Sequence, residues 1–387
     1  MTRPSPRTGG VDDVVDQIRR ETRRRAMRTL APLAAGVDRE QEFSQPMWDE
    51  LRDMGIFGIA FPEEVGGAGA STLAYVAALE EIAYASGVAA LYPGTTVQVA
   101  QAVLRHGSPE AVARWAAPLI AGEHPAAWAF TEPQTGSDPK QLTTVARRDG
   151  DQWRLSGQKI FISYAAQSPV ALVFAKVESG SVAAFLVETD QPGWTVGPHA
   201  RVMSFGGTGA SPVFLDDVVV PASHLVGAED GGFRVMLDGE AVGKIRVSAI
   251  NVGVAQRALD EAASYAVTRL HRGASIGEKF SSIQSHLADM QASVLAARAL
   301  LVETAAAVDS GDDIGAAAAA LRIVTGRAAR ETASAAMQIC GAYGMTQEMP
   351  IERLYREAKF YEVAQGAVEL QRVIVGKDVL RRAMKNT

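Results

Sequence analysis

The residues best placed for chemistry lie at 128–138 and read W-A-F-T-E-P-Q-T-G-S-D. The hydroxyls of Thr131 and Ser137 stand there with a proline and a glycine between them. A loop of this make-up offers backbone N–H groups and hydroxyls to the polar edge of a flat heterocycle or to a phosphate. The same letters also suit an ordinary strand-to-loop corner, and spacing alone does not choose between the two. A second glycine-rich stretch at 66–71, G-G-A-G-A-S, imitates a dinucleotide fingerprint. Its spacing is wrong for G-x-G-x-x-G and no βαβ unit surrounds it, so it reads as a turn. The six histidines show no metal-ligand spacing, and no metal is expected. The arginine run at 19–25 is interrupted by Glu21 and reads as a solvated helix face rather than a phosphate patch.

Composition sets the frame for these groups. With 387 residues, 47 % of them apolar, the chain has room for two or three domains and a large core. A net charge of −6 on a mixed surface argues against a nucleic-acid binder. The single cysteine, Cys340, excludes an intramolecular disulfide and suits a reducing compartment, so a cytoplasmic location is expected. No apolar run reads as membrane-spanning, and residues 1–10 lack the apolar core of a signal peptide.

The elements that must position the loop change period along the chain. Residues 1–10 read as disordered. From 11 to 125 the apolar spacing is helical, with helices expected at 11–35, 44–54, 71–85, 95–106 and 109–121. Ser44 is a suitable N-cap with Pro46 in the first turn behind it. Residues 126–230 alternate with period two and are rich in β-branched side chains. Strands are expected at 153–163, 170–177, 181–188 and 211–220, with no helix between them. That makes a mainly antiparallel small barrel or sandwich. From 231 to 387 helical text returns, with an apolar stripe at Ile283, Leu287, Met290, Val294 and Leu301. An alanine-rich helix at 313–338, capped by Asp312 or Asp313, follows. The last helix, after Gly366, carries Leu370, Val373, Ile374, Leu380 and Met384 on one side. Long helices with short joins predict a four-helix bundle. The fold class is therefore α+β: a helical domain, a small β domain and a helical bundle.

This order, with motifs in every block, resembles the acyl-CoA dehydrogenase flavoprotein family over residues 12–383. The blocks are T-E-P-x-x-G-S-D at 131–138, G-Q-K-I-F-I-S at 157–163 and F-L-D-D-V-V-V-P at 214–221. Further matches are A-Q-R-A-L-D-E-A at 255–262, L-A-D-M at 287–290, Q-I-C-G-A-Y-G at 338–344 and R-L-Y-R-E-A-K at 353–359. The resemblance implies one FAD per chain between the β domain and the bundle. It also implies a homotetramer in which a neighbouring chain completes each FAD site. Carried over residue by residue, Phe130, Thr131 and Ser137 would contact the isoalloxazine and pyrophosphate. Phe161, Ile162 and Ser163 would line the flavin, with the Ser163 hydroxyl near its N5. Arg269 would meet a pyrophosphate, and Gln338 and Gly341 the adenosine half. Donors around the pyrimidine ring favour hydride acceptance, because the reduced ring is anionic there. Two departures touch this half: Arg272 stands where the family usually packs a phenylalanine on adenine, and the segment 274–280 is one residue longer than usual. An arginine can stack on adenine as well.

The larger departure concerns the base. In the family a glutamate takes the α-proton of an acyl thioester while hydride leaves the β-carbon. Most members carry it in a V-Y-E-G-T segment, which here reads Val363, Ala364, Gln365, Gly366, Ala367. An amide takes no proton at neutral pH. Other members carry it on the first bundle helix just before an arginine, and that pair is Gly243 and Lys244 here. Both usual positions are empty, which forgoes a factor of about 10²–10⁴ in rate. The backbone N–H at Gln365, one of the family's two donors to the thioester oxygen, survives the change of side chain. By the same resemblance Lys244 and Gly366 fall to the substrate. Two carboxylates lie one helical turn from the vacant positions, Glu240 and Glu362. Glu362 is expected to pair with a cation. Glu240 replaces an apolar residue of the family and is the candidate relocated base, against the plainer reading of a solvated or ion-paired glutamate.

Three functions follow. The first is an FAD-dependent α,β-dehydrogenation of an acyl thioester, carried on CoA or a carrier protein, with electrons passed to an acceptor protein or oxygen. The alternative is a flavin-dependent monooxygenase or other oxidation on the same fold, which needs no α-proton base. The third is a non-catalytic binder, against which the intact flavin loop argues.

Overall fold

The computed structural model describes residues 11–136 and 138–385. The disorder expected at 1–10 and the Ser137 side chain lie outside them. The chain opens with seven helices: α1 (Val11–Thr29), α2 (Ala31–Glu40), α3 (Gln45–Asp53), α4 (Thr72–Ala85), α5 (Gly87–Leu91), α6 (Gly94–His106) and α7 (Pro109–Ala121). The single helix expected over 11–35 is two. Pro32 stands in the first turn of α2 and has no N–H to continue the preceding ladder. Serine caps fix four starts: Ser44, Ser71, Ser86 and Ser108 each accept from the backbone N–H three residues on. The stretch at 66–71 is loop apart from the positive-φ turn at Gly66.

Eight strands follow: β1 (Ala126–Ala129), β2 (Val145–Asp149), β3 (Gln152–Ile162), β4 (Val170–Lys176), β5 (Val182–Glu188), β6 (Trp194–Val196), β7 (Ser211–Pro221) and β8 (Leu225–Val226). They form one sheet in the order β6-β7-β3-β2-β4-β5-β8, with β1 added on β4. β1 and β2 run parallel to β4, and the other neighbours are antiparallel. Of the four strands missing from the sequence reading, β1, β6 and β8 are too short for a two-residue period to show, and β2 does not alternate, its last three residues all being exposed. The sheet encloses its own core of Trp153, Leu155, Val173, Phe185, Val213 and Val220. The outer face of β4, with Leu172 and Phe174, joins the core of the helices. Alternate residues of one strand thus fasten the sheet to the rest of the molecule.

The third block is α8 (Gly232–Thr268), a hairpin of β9 (Leu270–His271) and β10 (Ala274–Ser275), then α9 (Ile276–Lys279), α10 (Ser281–Asp309), α11 (Gly315–Cys340), α12 (Ile351–Val363) and α13 (Val368–Lys385). α8 packs against α4, α10, α11 and α12, which is why its sequence is apolar on most sides. Asp313 accepts from the Gly315 N–H at 3.0 Å at the start of α11. On α10 Met290, Val294 and Leu301 are buried. By length and apolarity alone α10 could cross a membrane, contrary to the expectation that no such run exists, but it packs here on α8 and α11. α13 packs on α11 with its apolar side uncovered: Leu370, Val373, Leu380 and Met384 are 37–70 % exposed.

Candidate functional site

β1 delivers the chain to the loop at 130–138. Glu132 and Thr135 close its base through two backbone hydrogen bonds, Glu132 N–H to Thr135 O at 2.9 Å and the reverse at 3.1 Å. The Glu132 side chain then takes over. It accepts from Lys159 Nζ (2.7 Å), Gln134 Nε2 (2.6 Å), the Thr143 N–H (2.6 Å) and hydroxyl (2.8 Å), and the Thr144 N–H (3.0 Å). Lys159 Nζ also donates to the carbonyls of Phe130 and Phe174. Both ions are fully buried. Burial alone would raise the Glu132 carboxyl, but the Lys159 ammonium and the converging donors hold it at about 2. Burial pulls the Lys159 ammonium down to about 8, against the support of Glu132. This pair, absent from the sequence reading, staples the loop to β3 and β4. Its signal was visible: a lysine in phase with the inward Trp153 and Leu155 of the same strand needs a buried anion.

At the end of β3 the pairing with β7 slips between Lys159 and Ile162, and Phe161 takes a left-handed φ of +55°. A bulge of this kind re-aims side chains. Phe161 is 62 % exposed, whereas Ile162 turns into the β core. Phe130 is likewise buried, edge-on to Phe174. Thr131 and Ser163 are half-buried. The Ile160 N–H donates to the Thr131 carbonyl at 2.9 Å, so loop and strand end move as one. Of the expected flavin residues, Thr131, Phe161 and Ser163 therefore present side chains, whereas those of Phe130 and Ile162 are buried in the helical and β cores. An aromatic face held out of the core beside two hydroxyls and open loop amides fits a flat heterocycle. Arg269, Gln338 and Gly341 do not join them. They are exposed at the far end of α8 and α11, near the Tyr265–Tyr343 contact. A 37-residue helix is about 55 Å long, and the sheet meets α8 at its first residues. Arg272 and Gly273, both with positive φ, form the exposed two-residue tip of the β9–β10 hairpin.

The two vacant base positions face each other. A methyl group placed on Gly243 would stand 2.8 Å from Gln365 Oε1. Gln365 and Gly366 sit between α12 and α13 with φ of +57° and +81°, a left-handed pair that only the glycine adopts without strain. The Gln365 N–H has no acceptor among the described residues. Arg246 lies beneath, 1 % exposed; its Nη1 donates to Gly94 O at 2.5 Å and its Nη2 reaches Gln365 Oε1 at 3.5 Å. Arg322 donates to the carbonyls of Tyr361 (2.7 Å) and Ala364 (3.0 Å), holding the segment before Gln365. Glu240 Oε2 lies 3.9 Å from where a Cβ on Gly366 would be, and the carboxylate makes no hydrogen bond or ion pair among the described residues. Its side chain keeps a narrow exposed edge, yet burial dominates and pushes the carboxyl up, over the opposing pull of Lys244, Arg246 and Arg322. Burial lowers the Lys244 ammonium against the support of Glu240. Glu362 behaves as expected: Arg330 (2.8 Å) and Lys359 (2.7 Å) pair with it. The sequence reading passed over Arg246 and Arg322, although an arginine between Ile245 and Val247 was a visible oddity.

Fold and site together define a flavin-dependent oxidoreductase built as helices, sheet and helices. Models of the acyl-CoA dehydrogenase N-terminal, middle and C-terminal domains match residues 13–123, 127–218 and 230–380. A 3-(aryl)acrylate reductase of Clostridium sporogenes is 34 % identical over 94 % of this chain and 98 % of its own length. The human mitochondrial short-chain specific acyl-CoA dehydrogenase is 33 % identical over 92 % of this chain and 87 % of its own. The structure of butyryl-CoA dehydrogenase from Megasphaera elsdenii superposes with a TM-score of 0.92 at 29 % identity, covering 98 % of this chain and all of that one. The chain belongs to the acyl-CoA dehydrogenase family, and FAD is its cofactor. Thr131→Ala combined with Ser163→Ala should weaken FAD retention or shift the flavin potential if these hydroxyls donate to the ring as the resemblance implies. Equilibrium dialysis and a spectroscopic redox titration against wild type check this, and unchanged values in both would remove these hydroxyls from the flavin site.

Proposed function

We propose that the chain dehydrogenates an acyl thioester between Cα and Cβ, with Glu240 as the base. The observation that carries this reading is the unpaired, desolvated Glu240 carboxylate beside Gly366, whereas the other carboxylate considered, Glu362, is fully paired. A carboxyl raised in this way is a stronger base once ionised. The Gln365 N–H donates to the thioester oxygen, which acidifies the α-proton that Glu240 removes. Lys244, one turn beyond Glu240, keeps the local field positive as charge builds on the oxygen. FAD, when bound, supplies the hydride acceptor. The acyl carrier is CoA or an acyl carrier protein, and the electrons pass to an acceptor protein or to oxygen. The amide at Gln365 and the bare Gly243 favour a second reading, an oxygen-using flavin oxidation that needs no base. Anaerobic mixing of the FAD-loaded protein with a panel of acyl thioesters separates the two. Flavin bleaching by a thioester supports dehydrogenation. Bleaching by none, followed by oxygen consumption with a flavin reductase, supports the second reading instead.

The distant placement of Arg269, Gln338 and Gly341, with the uncovered apolar side of α13, supports a homotetramer in which these residues serve a neighbour's FAD. Sedimentation at micromolar concentration should show no stable monomer; a single 41.0 kDa species would exclude the arrangement.

A further inference from the structure

Arg246 is a buried cation without an anion. It is 1 % exposed, and its recorded partners are a carbonyl and an amide oxygen, Gly94 O and Gln365 Oε1. Its Nε has no partner at all among the described residues. Glu240 feels its charge, but no ion pair joins them. A desolvated guanidinium in this state is costly unless a counter-charge reaches it.

The surroundings are unusual for the end of an acyl pocket. The phenol oxygens of Tyr75, Tyr164 and Tyr361 lie within the field of Arg246, are buried, and have no hydrogen-bond partner among the described residues. Buried polar atoms are normally satisfied, so several orphans around one cation mark a place shaped for a polar group. The charges agree. Lys244, Arg246 and Arg322 surround Glu240, which leaves the region cationic when all four are ionised. Gly243 keeps side-chain atoms away from both groups: a Cβ there would stand 2.8 Å from Gln365 Oε1 and 3.9 Å from Arg246 Nη2.

We infer that the acyl group this chain accepts is short and ends in a carboxylate, which pairs with Arg246 and takes hydrogen bonds from the nearby phenols. The inference rests on the thioester reading above and sharpens it to a class of substrate. Glu240 keeps its place at the α-carbon, while Arg246 holds the far end of the acyl chain. A neutral alkyl chain would leave Arg246 and the phenols unpaired, and the site would reject it for that reason.

The test uses FAD-loaded protein under anaerobic conditions and thioesters of pantetheine, the arm common to CoA and carrier proteins. Length-matched pairs are compared, butyryl with succinyl and valeryl with glutaryl, by perturbation of the flavin spectrum. The carboxylated member should bind at least tenfold more tightly. In Arg246→Met that preference should fall to parity or reverse, while Arg246→Lys keeps part of it; flavin content reports whether each variant is folded. Equal binding within the wild-type pairs overturns the inference without any variant, and so does a preference that survives in Arg246→Met. Binding of the neutral members alone overturns it and leaves the thioester reading standing. Binding of no thioester overturns both.

Discussion

Replacing Glu240 by glutamine should slow flavin reduction by a matched acyl thioester by about 10²–10⁴, the usual contribution of a positioned general base. The substitution keeps shape and removes only the proton acceptor, so FAD content and thioester binding should stay close to wild type. The pH profile gives an independent readout. The Glu240 carboxyl is pushed up by burial, so it is protonated and idle at the acid end. The rate should rise with pH through a value above the ordinary carboxylate range, and that limb should vanish in Glu240→Gln. Gln365→Glu is the complementary experiment. It places a carboxylate within reach of Arg246, beside an N–H free to hold the thioester oxygen. Activity on simple saturated acyl-CoA thioesters should appear or rise, by up to the same factor. Stopped-flow rates that are equal in wild type and Glu240→Gln would remove Glu240 from the mechanism, whatever Gln365→Glu does.

The second large effect concerns stability. Glu132→Gln leaves the Lys159 ammonium buried among carbonyls without its anion, and Lys159→Met leaves the Glu132 carboxylate without its cation. Breaking a buried pair from one side costs about 3–5 kcal/mol. Both variants should unfold at lower denaturant concentration and lose FAD, because the same pair fixes the 130–138 loop. The sign of the pH dependence follows from the depressed carboxyl. Glu132 titrates at about 2 in the fold against an ordinary 4.5, so its contribution is complete above the ordinary value and is lost as the pH falls toward 2. That acid-sensitive component should be missing from Glu132→Gln. Wild-type-like unfolding of Glu132→Gln would show that the backbone bonds between Glu132 and Thr135 hold the loop unaided.

Much of this was legible beforehand because the informative signals are local. Ser44 caps its helix by a contact three residues long, and β3, β4, β5 and β7 are long enough for alternation to show. The break at Leu30 was also local but was outweighed by the continuous helical period around Pro32. The pairing of Glu362 with Lys359 and Arg330 could be expected from a helix turn and a neighbouring helix. The parts that escaped depend on distant partners. Lys159 meets Glu132 across 27 positions and Arg246 meets Gly94 across 152, and no period links them. The burial of Ile162 was hidden by the bulge at Phe161, which reverses the alternation one residue earlier.

The length of α8 has a consequence for how the cofactor is kept. Its first turns adjoin the sheet that carries the flavin loop, and Arg269 leaves its other end about 55 Å away. If that end completes a neighbour's site, no single chain owns a whole cofactor site. Cofactor retention then becomes a property of the population. Diluting the protein would release flavin even with free FAD held constant, and added FAD would draw chains together by mass action. The yellow colour of a sample would then report its state of assembly as well as its flavin supply.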